Sequence, residues 1–301
     1  MERHIKCVLF LAASLLFLIP AAAPGSSRKL VIGSKGFTEQ KLLGQMMIAV
    51  LENNGFQCGD KTGMGGTWPV RKALAEGKID IYMEYTGTAL SVFLNIREPV
   101  SDPVKCYEIV KKQDMERNNL VWLAPMDFNN TYCLMMQHDE SERFGIRTLS
   151  DLSKYLNRYP DKMIFGLNAS FYTRLDGYPS IQHVYKLKFP QSGIIKMDVG
   201  LLYKALGEGL LQVALGYSTD GRIKSYNLSV LEDDKHFFPP YNPAPVIRKE
   251  TAEKYPKLAD ILEPLSKKLN TEAIIELNYK VDEERIPIRD VVRNWLKSEG
   301  L

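Results

Sequence analysis

The chain has 301 residues, 45% hydrophobic and 25% charged, which is enough to bury a full core in one large domain or two smaller ones. Its 39 basic and 36 acidic residues leave a formal charge of +3 and are interspersed along the chain. That pattern carries no nucleic-acid footprint, and no low-complexity block argues for a disordered protein.

Arg3, His4 and Lys6 precede an apolar run from Val8 to Ile19, followed by small residues at Ala21–Ala23. The run is short for a bilayer span and suits the core of a signal peptide, expected at 1–25 with a cut near Ala22 or Gly25, the alternative being retention as an uncleaved anchor. Export to the periplasm or the outer face of the cytoplasmic membrane follows. Cys7 lies before the apolar core, unlike the acylated Cys of a lipid anchor. Cys58, Cys106 and Cys133 then remain. Cys58 with Cys106 is the pair to test as a disulfide, against three buried free thiols.

Lys29–Gly33 reads as a short buried strand, and Thr38 as the N-cap of a helix with apolar residues at 42, 43, 46, 47, 50 and 51. Glu39 in the first turn favours the helix dipole. Asn54-Gly55 ends that helix, and Gly63–Gly66 is a turn. A helix through Ala73-Leu74 leads to a strand at Ile79–Tyr82. Helical stretches follow to about Asn95 and from Pro103 to about Asn118, then strands at Leu120–Leu123 and Tyr132–Met136. Thr148 starts another helix, Met163–Gly166 reads as a strand, and the second lobe then runs on to Val230-Leu231. The segment 237–245 is rigid and proline-rich, and helices near 250–267, 271–280 and 287–298 close the chain. Alternating strands and helices predict α/β lobes with mainly parallel sheets.

Residues 72–88 and 204–220 repeat each other at an offset of 132 residues, which makes Tyr85 and Tyr217 equivalent. In each copy a helix ends at a glycine (Gly77, Gly209), an apolar run follows, and a tyrosine stands where the strand runs out. Ligands of open α/β sheets gather at the carboxyl ends of strands. Two lobes presenting matched tyrosines would make a two-jawed aromatic trap. Such a trap suits a quaternary ammonium, which has no N–H to donate and is selected by ring faces.

Enzyme signatures are missing. Gly33–Gly36 lacks the spacing and Lys-Ser/Thr ending of a phosphate loop, no Ser stands in G-x-S-x-G, and His138, His183 and His236 pair with no metal-ligand spacing. No catalytic residue, metal or cofactor is expected.

Five motifs in order carry a resemblance: Gly33–Gln40, Glu84–Thr88, Asn129–Tyr132, Tyr217–Arg222 and Tyr241–Pro245, with a closing Glu276–Asp282. Over residues 29–299 the chain resembles the substrate-binding proteins of osmoprotectant ABC importers, which bind glycine betaine, choline, carnitine and related quaternary amines. The resemblance implies a two-lobed, hinge-closing, type II periplasmic-binding-protein-like fold. Lobe one would be 29–131 plus 238–301 and lobe two 132–237. It implies an aromatic cage of Tyr85, Tyr132, Tyr217 and Tyr241, with the Asn130 carbonyl near the cation. Lys35, Thr88 and Arg174 would hold a ligand carboxylate. Ser170, Leu175, Cys133 and Asp127 depart from the family's usual Glu, Pro, Ala and Gly. It further implies a monomer whose partners are the small quaternary amine and an importer permease. Ergothioneine is the alternative ligand, and a ligand-sensing module or an exported enzyme on a methylated amine are the alternative roles.

Overall fold

The structure, a computed structural model, describes residues 29–96, 98, 100–173 and 177–301. The expected leader at 1–25 and the clamp candidate Arg174 lie outside these residues.

The strands are β1 (Leu30–Gly33), β2 (Cys58–Lys61), β3 (Ile81–Tyr85), β4 (Leu120–Trp122), β5 (Tyr132–Gln137), β6 (Phe165–Leu167), β7 (Ile194–Lys196), β8 (Val213–Tyr217), β9 (Leu228–Val230) and β10 (Pro243–Arg248). They form two five-stranded sheets, ordered β2-β1-β3-β10-β4 and β7-β6-β8-β5-β9. The chain passes from the first sheet to the second between Trp122 and Tyr132, and returns between Val230 and Pro243. Both sheets have one plan: three parallel strands, then an antiparallel strand delivered by a crossover, then an edge strand.

Four of the five strands in each sheet run the same way, as strand–helix alternation predicts, and one, β10 in the first and β5 in the second, runs against them. A strand built by a right-handed βαβ crossover starts at the far edge and runs toward the cleft. β5 and β10 arrive from the other lobe, so they enter at the cleft edge and run away from it. The antiparallel strand is the consequence of crossing twice.

β10 is a strand that the proline-rich reading of 237–245 leaves out. Pro243 and Pro245 are tolerated in this central strand because of register. Pro243 pairs with Tyr85 and Pro245 with Met83, which turns the proline carbonyls toward the β4 side. There they accept from the N–H groups of Met126 (2.8 Å) and Leu123 (2.9 Å). The N–H that proline lacks points to the same side, where β4 has already ended at Trp122.

The repeat is structural as well as textual. Helices Thr67–Ala75 and Val199–Gly207, and strands β3 and β8, start and end at matching positions 132 residues apart. Gly77 (φ 68°) and Gly209 (φ 76°) take the left-handed conformation that lets each helix turn into its strand. The helix after Gly36 starts at Thr38, with Phe37 as its extended N-cap residue (φ −88°, ψ 162°). Thr38 is therefore inside the helix, and its hydroxyl donates to Asp282 Oδ1 at 2.6 Å.

The first sheet is covered on both faces, so β3 is buried throughout. Helices Thr38–Asn53, Leu258–Lys268, Thr271–Asp282 and Ile288–Glu299 pack on one face, with Cys58 beside that cluster. Helices Thr67–Ala75 and Pro103–Asn118 pack on the other, which holds Cys106. The sheet separates these two thiols, and Cys58, Cys106 and Cys133 are all free. Beneath the second face, Arg71 pairs with the fully buried Asp114, which also accepts from Trp122 Nε1 and Asn118 Nδ2, each at 2.7 Å. Removing one partner of a buried pair strands the other charge. Arg71→Ala is expected to lower the unfolding free energy by about 3–5 kcal/mol, read from urea unfolding curves; a loss within error of zero would contradict the role given to this pair.

Candidate functional site

The strand plan brings four tyrosines to one place. Tyr85 is the last residue of β3 and Tyr217 the last of β8. Tyr132 opens β5 in register with Tyr217, and Tyr241 lies just before β10, whose Pro243 pairs with Tyr85. The two crossovers are stitched together here: Tyr241 N–H donates to Asn129 Oδ1 (2.7 Å), and Asn130 N–H donates to the Tyr241 carbonyl (3.2 Å). The Tyr203 hydroxyl accepts from the Tyr217 N–H at 2.7 Å and fixes the end of β8.

Ring centroids of Tyr132 and Tyr217 are 5.2 Å apart, and those of Tyr132 and Tyr241 6.0 Å apart at 88°. Gly87 makes room for Tyr241, because an added Cβ would meet that ring at 2.8 Å and the Pro240 carbonyl at 2.9 Å. Between them is a cavity of about 120 Å³ lined by the four tyrosines, Asn130, Lys35 and Thr88. Phe37, Thr67 and Val92 complete its wall. Seven of the eight residues singled out from sequence therefore share one cavity; the eighth, Arg174, is outside the described residues. A larger hollow of about 680 Å³ lies on the back of the first lobe between helices Thr38–Asn53 and Ile288–Glu299, but no aromatic ring lines it.

Two buried carboxylates organise the walls. Glu84 accepts from Lys35 Nζ (2.5 Å), the Tyr82 hydroxyl (3.1 Å) and the Tyr85 N–H (2.8 Å). The Lys35 ammonium stands 5.0 Å from the centroid of the Tyr85 ring. Glu39 accepts from the Tyr85 hydroxyl (2.7 Å), Asn130 Nδ2 (2.8 Å), Thr219 Oγ1 (2.5 Å) and Asn278 Nδ2 (3.3 Å). Burial pushes the Glu39 carboxyl above its usual range, and its four donors work against that rise. Burial, reinforced by the Glu39 charge, pushes the Tyr85 phenol well up, so it stays protonated and donates.

Glu39, Glu84, Thr219 and Phe37 were not found by motif reading as site residues. Phe37 is 44% exposed, and its ring is nearly parallel to both Tyr85 (6.3 Å, 19°) and Tyr217 (6.4 Å, 9°). Glu39 did leave a signal. It heads the apolar face of its helix, four, seven and eight residues before Leu43, Met46 and Met47, so its carboxylate had to point inward.

Comparison with known proteins supplies the context. Residues 28–298 match the model of a family described as the substrate binding domain of ABC-type glycine betaine transport systems. A glycine-betaine-binding protein of Pseudomonas aeruginosa is 36% identical over 306 residues, covering all of this chain and 96% of that protein. An ergothioneine transport permease and binding protein of Helicobacter pylori is 34% identical over 98% of this chain, which spans 52% of that protein. Among solved structures, one described as a glycine betaine/carnitine/choline ABC transporter superposes with a TM-score of 0.81 at 29% identity, covering 90% of this chain and 99% of the other. The fold is that of type II periplasmic binding proteins.

The close approach at Gly87 yields a direct expectation. Gly87→Ala forces the Tyr241 ring aside, costing about 1–3 kcal/mol as overpacking does and altering the near-UV dichroism of the tyrosines. An unchanged spectrum together with an unchanged urea midpoint would show that the contact is not tight.

Proposed function

This chain belongs to the family of substrate-binding domains of ABC-type glycine betaine transport systems, and on that premise we propose that it captures a small quaternary ammonium solute outside the cytoplasmic membrane and delivers it to an importer permease. The observation that carries this reading is the convergence of four tyrosines on one small cavity. A quaternary nitrogen spreads its charge over methyl groups and cannot hydrogen-bond, so the negative faces of aromatic rings attract it where ordinary acceptors do not select it. Each ring contributes about 0.5–2 kcal/mol. Three or four rings reach several kcal/mol, enough for roughly micromolar binding after association costs.

In this reading Tyr85, Tyr132, Tyr217 and Tyr241 surround the cation, and the Asn130 carbonyl lies against its polarised methyls. Lys35, Thr88 and Arg174 hold a ligand carboxylate. An ammonium has three donors, so Lys35 can keep Glu84 and still reach the ligand. The lobes 29–131 with 238–301 and 132–237 close on the solute by a hinge at the two crossovers; the division of strands between the two sheets supports those bounds. The protein works as an exported monomer without catalysis, and releases its ligand chemically unchanged.

Glycine betaine, choline and carnitine are the ligands favoured. Sites for drug-sized molecules run about 300–1,000 Å³, far above the 120 Å³ here. Ergothioneine, with an added imidazole-thione, fits this cavity less well, although a relative carries that name.

Isothermal titration with glycine betaine, choline, carnitine and ergothioneine tests the assignment: one or more should bind, and no heat from any of them would sink it. Tyr85→Ala and Tyr217→Ala are each expected to weaken binding at least about tenfold, the loss of roughly one ring contact with its packing. Tyr155→Ala should leave affinity unchanged, since that ring packs only against Phe144 and Tyr159 in the described ring contacts, both at 5.0 Å.

A further inference from the structure

The four donors on Glu39 come from parts of the chain that the two sheets otherwise hold apart. Oε1 takes the Tyr85 hydroxyl from the end of β3 and Asn130 Nδ2 from the first crossover. Oε2 takes Asn278 Nδ2 from helix Thr271–Asp282 and Thr219 Oγ1, two residues beyond β8 in the second sheet. Asn278 Nδ2 also donates to the Thr219 carbonyl at 2.9 Å, so Thr219 is tied to the first lobe twice. The contact continues past it. An added Cβ at Gly221 would stand 2.5 Å from the backbone of Tyr279, and Lys224 pairs with Glu276 at 3.5 Å.

We propose that Glu39 is a positioning residue that couples lobe closure to the aromatic cage. Its carboxylate reaches full coordination only when the second lobe delivers Thr219, and the same carboxylate fixes the Tyr85 ring through its hydroxyl. A fully buried carboxylate tolerates no missing donor, because each one lost exposes desolvated charge. Opening the cleft therefore removes a charge-assisted bond at Thr219 and, with it, part of the restraint on Tyr85. Phe37, stacked near both Tyr85 and Tyr217, spans the same junction on the ring side. The cage half of this proposal rests on the reading of the cavity as a quaternary-ammonium site; the closure contact does not.

The test attaches a donor–acceptor dye pair at Lys111→Cys and Lys154→Cys, exposed positions on helices of the first and second lobes, in a Cys58→Ser background. Interlobe distance is read with no ligand and during titration with glycine betaine and with choline, alongside calorimetric affinities. Thr219→Val should shift the population toward the open form and weaken whichever probe binds by about tenfold, the scale of one charge-assisted hydrogen bond. Thr219→Ser, which keeps the hydroxyl, should restore most of both. Tyr85→Phe should cost less in the Thr219→Val background than alone, because the two hydroxyls act through one carboxylate. Interlobe distance and affinity unchanged in Thr219→Val would overturn the proposal, as would strictly additive effects of the two substitutions. Failure of wild-type protein to bind either probe would count against the cage reading, while ligand-free Thr219→Val compared with ligand-free wild type still decides the closure contact.

Discussion

A single buried carboxylate sets the terms for the junction between the two lobes. Glu39 lies in the first turn of a helix whose inward face is apolar beyond Gln40, so its charge has no water to turn to. Such a group survives in the ionised state only if donors saturate it. Those donors could not come from neighbours in sequence. They are Tyr85, Asn130, Thr219 and Asn278, drawn from β3, a crossover, the loop after β8 and a C-terminal helix. Satisfying one side chain thus aligns four distant segments, and two of those donors, Tyr85 and Asn130, line the cavity.

The double crossing explains why the cavity lies where it does. Each sheet ends its parallel run at the cleft, and each receives its antiparallel strand from the cleft. Residues at the ends of β3 and β8 and at the starts of β5 and β10 are therefore forced into one another's company. Tyr85, Tyr217 and Tyr132 occupy three of those four places, and Tyr241 stands two residues before the fourth. The side chains come from rigid strand ends, and Tyr203 and Asn129 pin the backbone on either side. Walls carried on strand ends pinned in this way keep their backbone fixed, which leaves less to be ordered when a cavity is filled.

Charge is handled in the same spirit. Lys35 is neutralised by Glu84 and still stands over the Tyr85 ring, so the wall is already adapted to a neighbouring cation. The ring faces, the compensated lysine and the small volume together suit a compact solute whose charge is diffuse. They suit a strongly hydrated ion poorly, since such an ion would need direct polar ligands to replace its water.

Much of this was legible in the chain itself. The repeat at an offset of 132 residues located matched helices, matched strands and the equivalence of Tyr85 with Tyr217, because local order follows from short-range pattern: a glycine after a helix, then an apolar run, then an aromatic residue. The helix expected from Pro103 to about Asn118 has those bounds, and the structure adds that the Asp102 side chain caps its start and left-handed Asn119 its end. Tertiary structure decided the rest. That Pro243–Arg248 could be a central strand depended on which side each proline faced, a matter of register with β3 and β4. That Cys58 and Cys106 stay free depended on the sheet lying between them. The carboxylate of Glu39 was visible as a charge at the head of an apolar face, but its four partners are 46 to 239 residues away. Periodicity reports which way a side chain points; only the assembled sheets determine what it meets there.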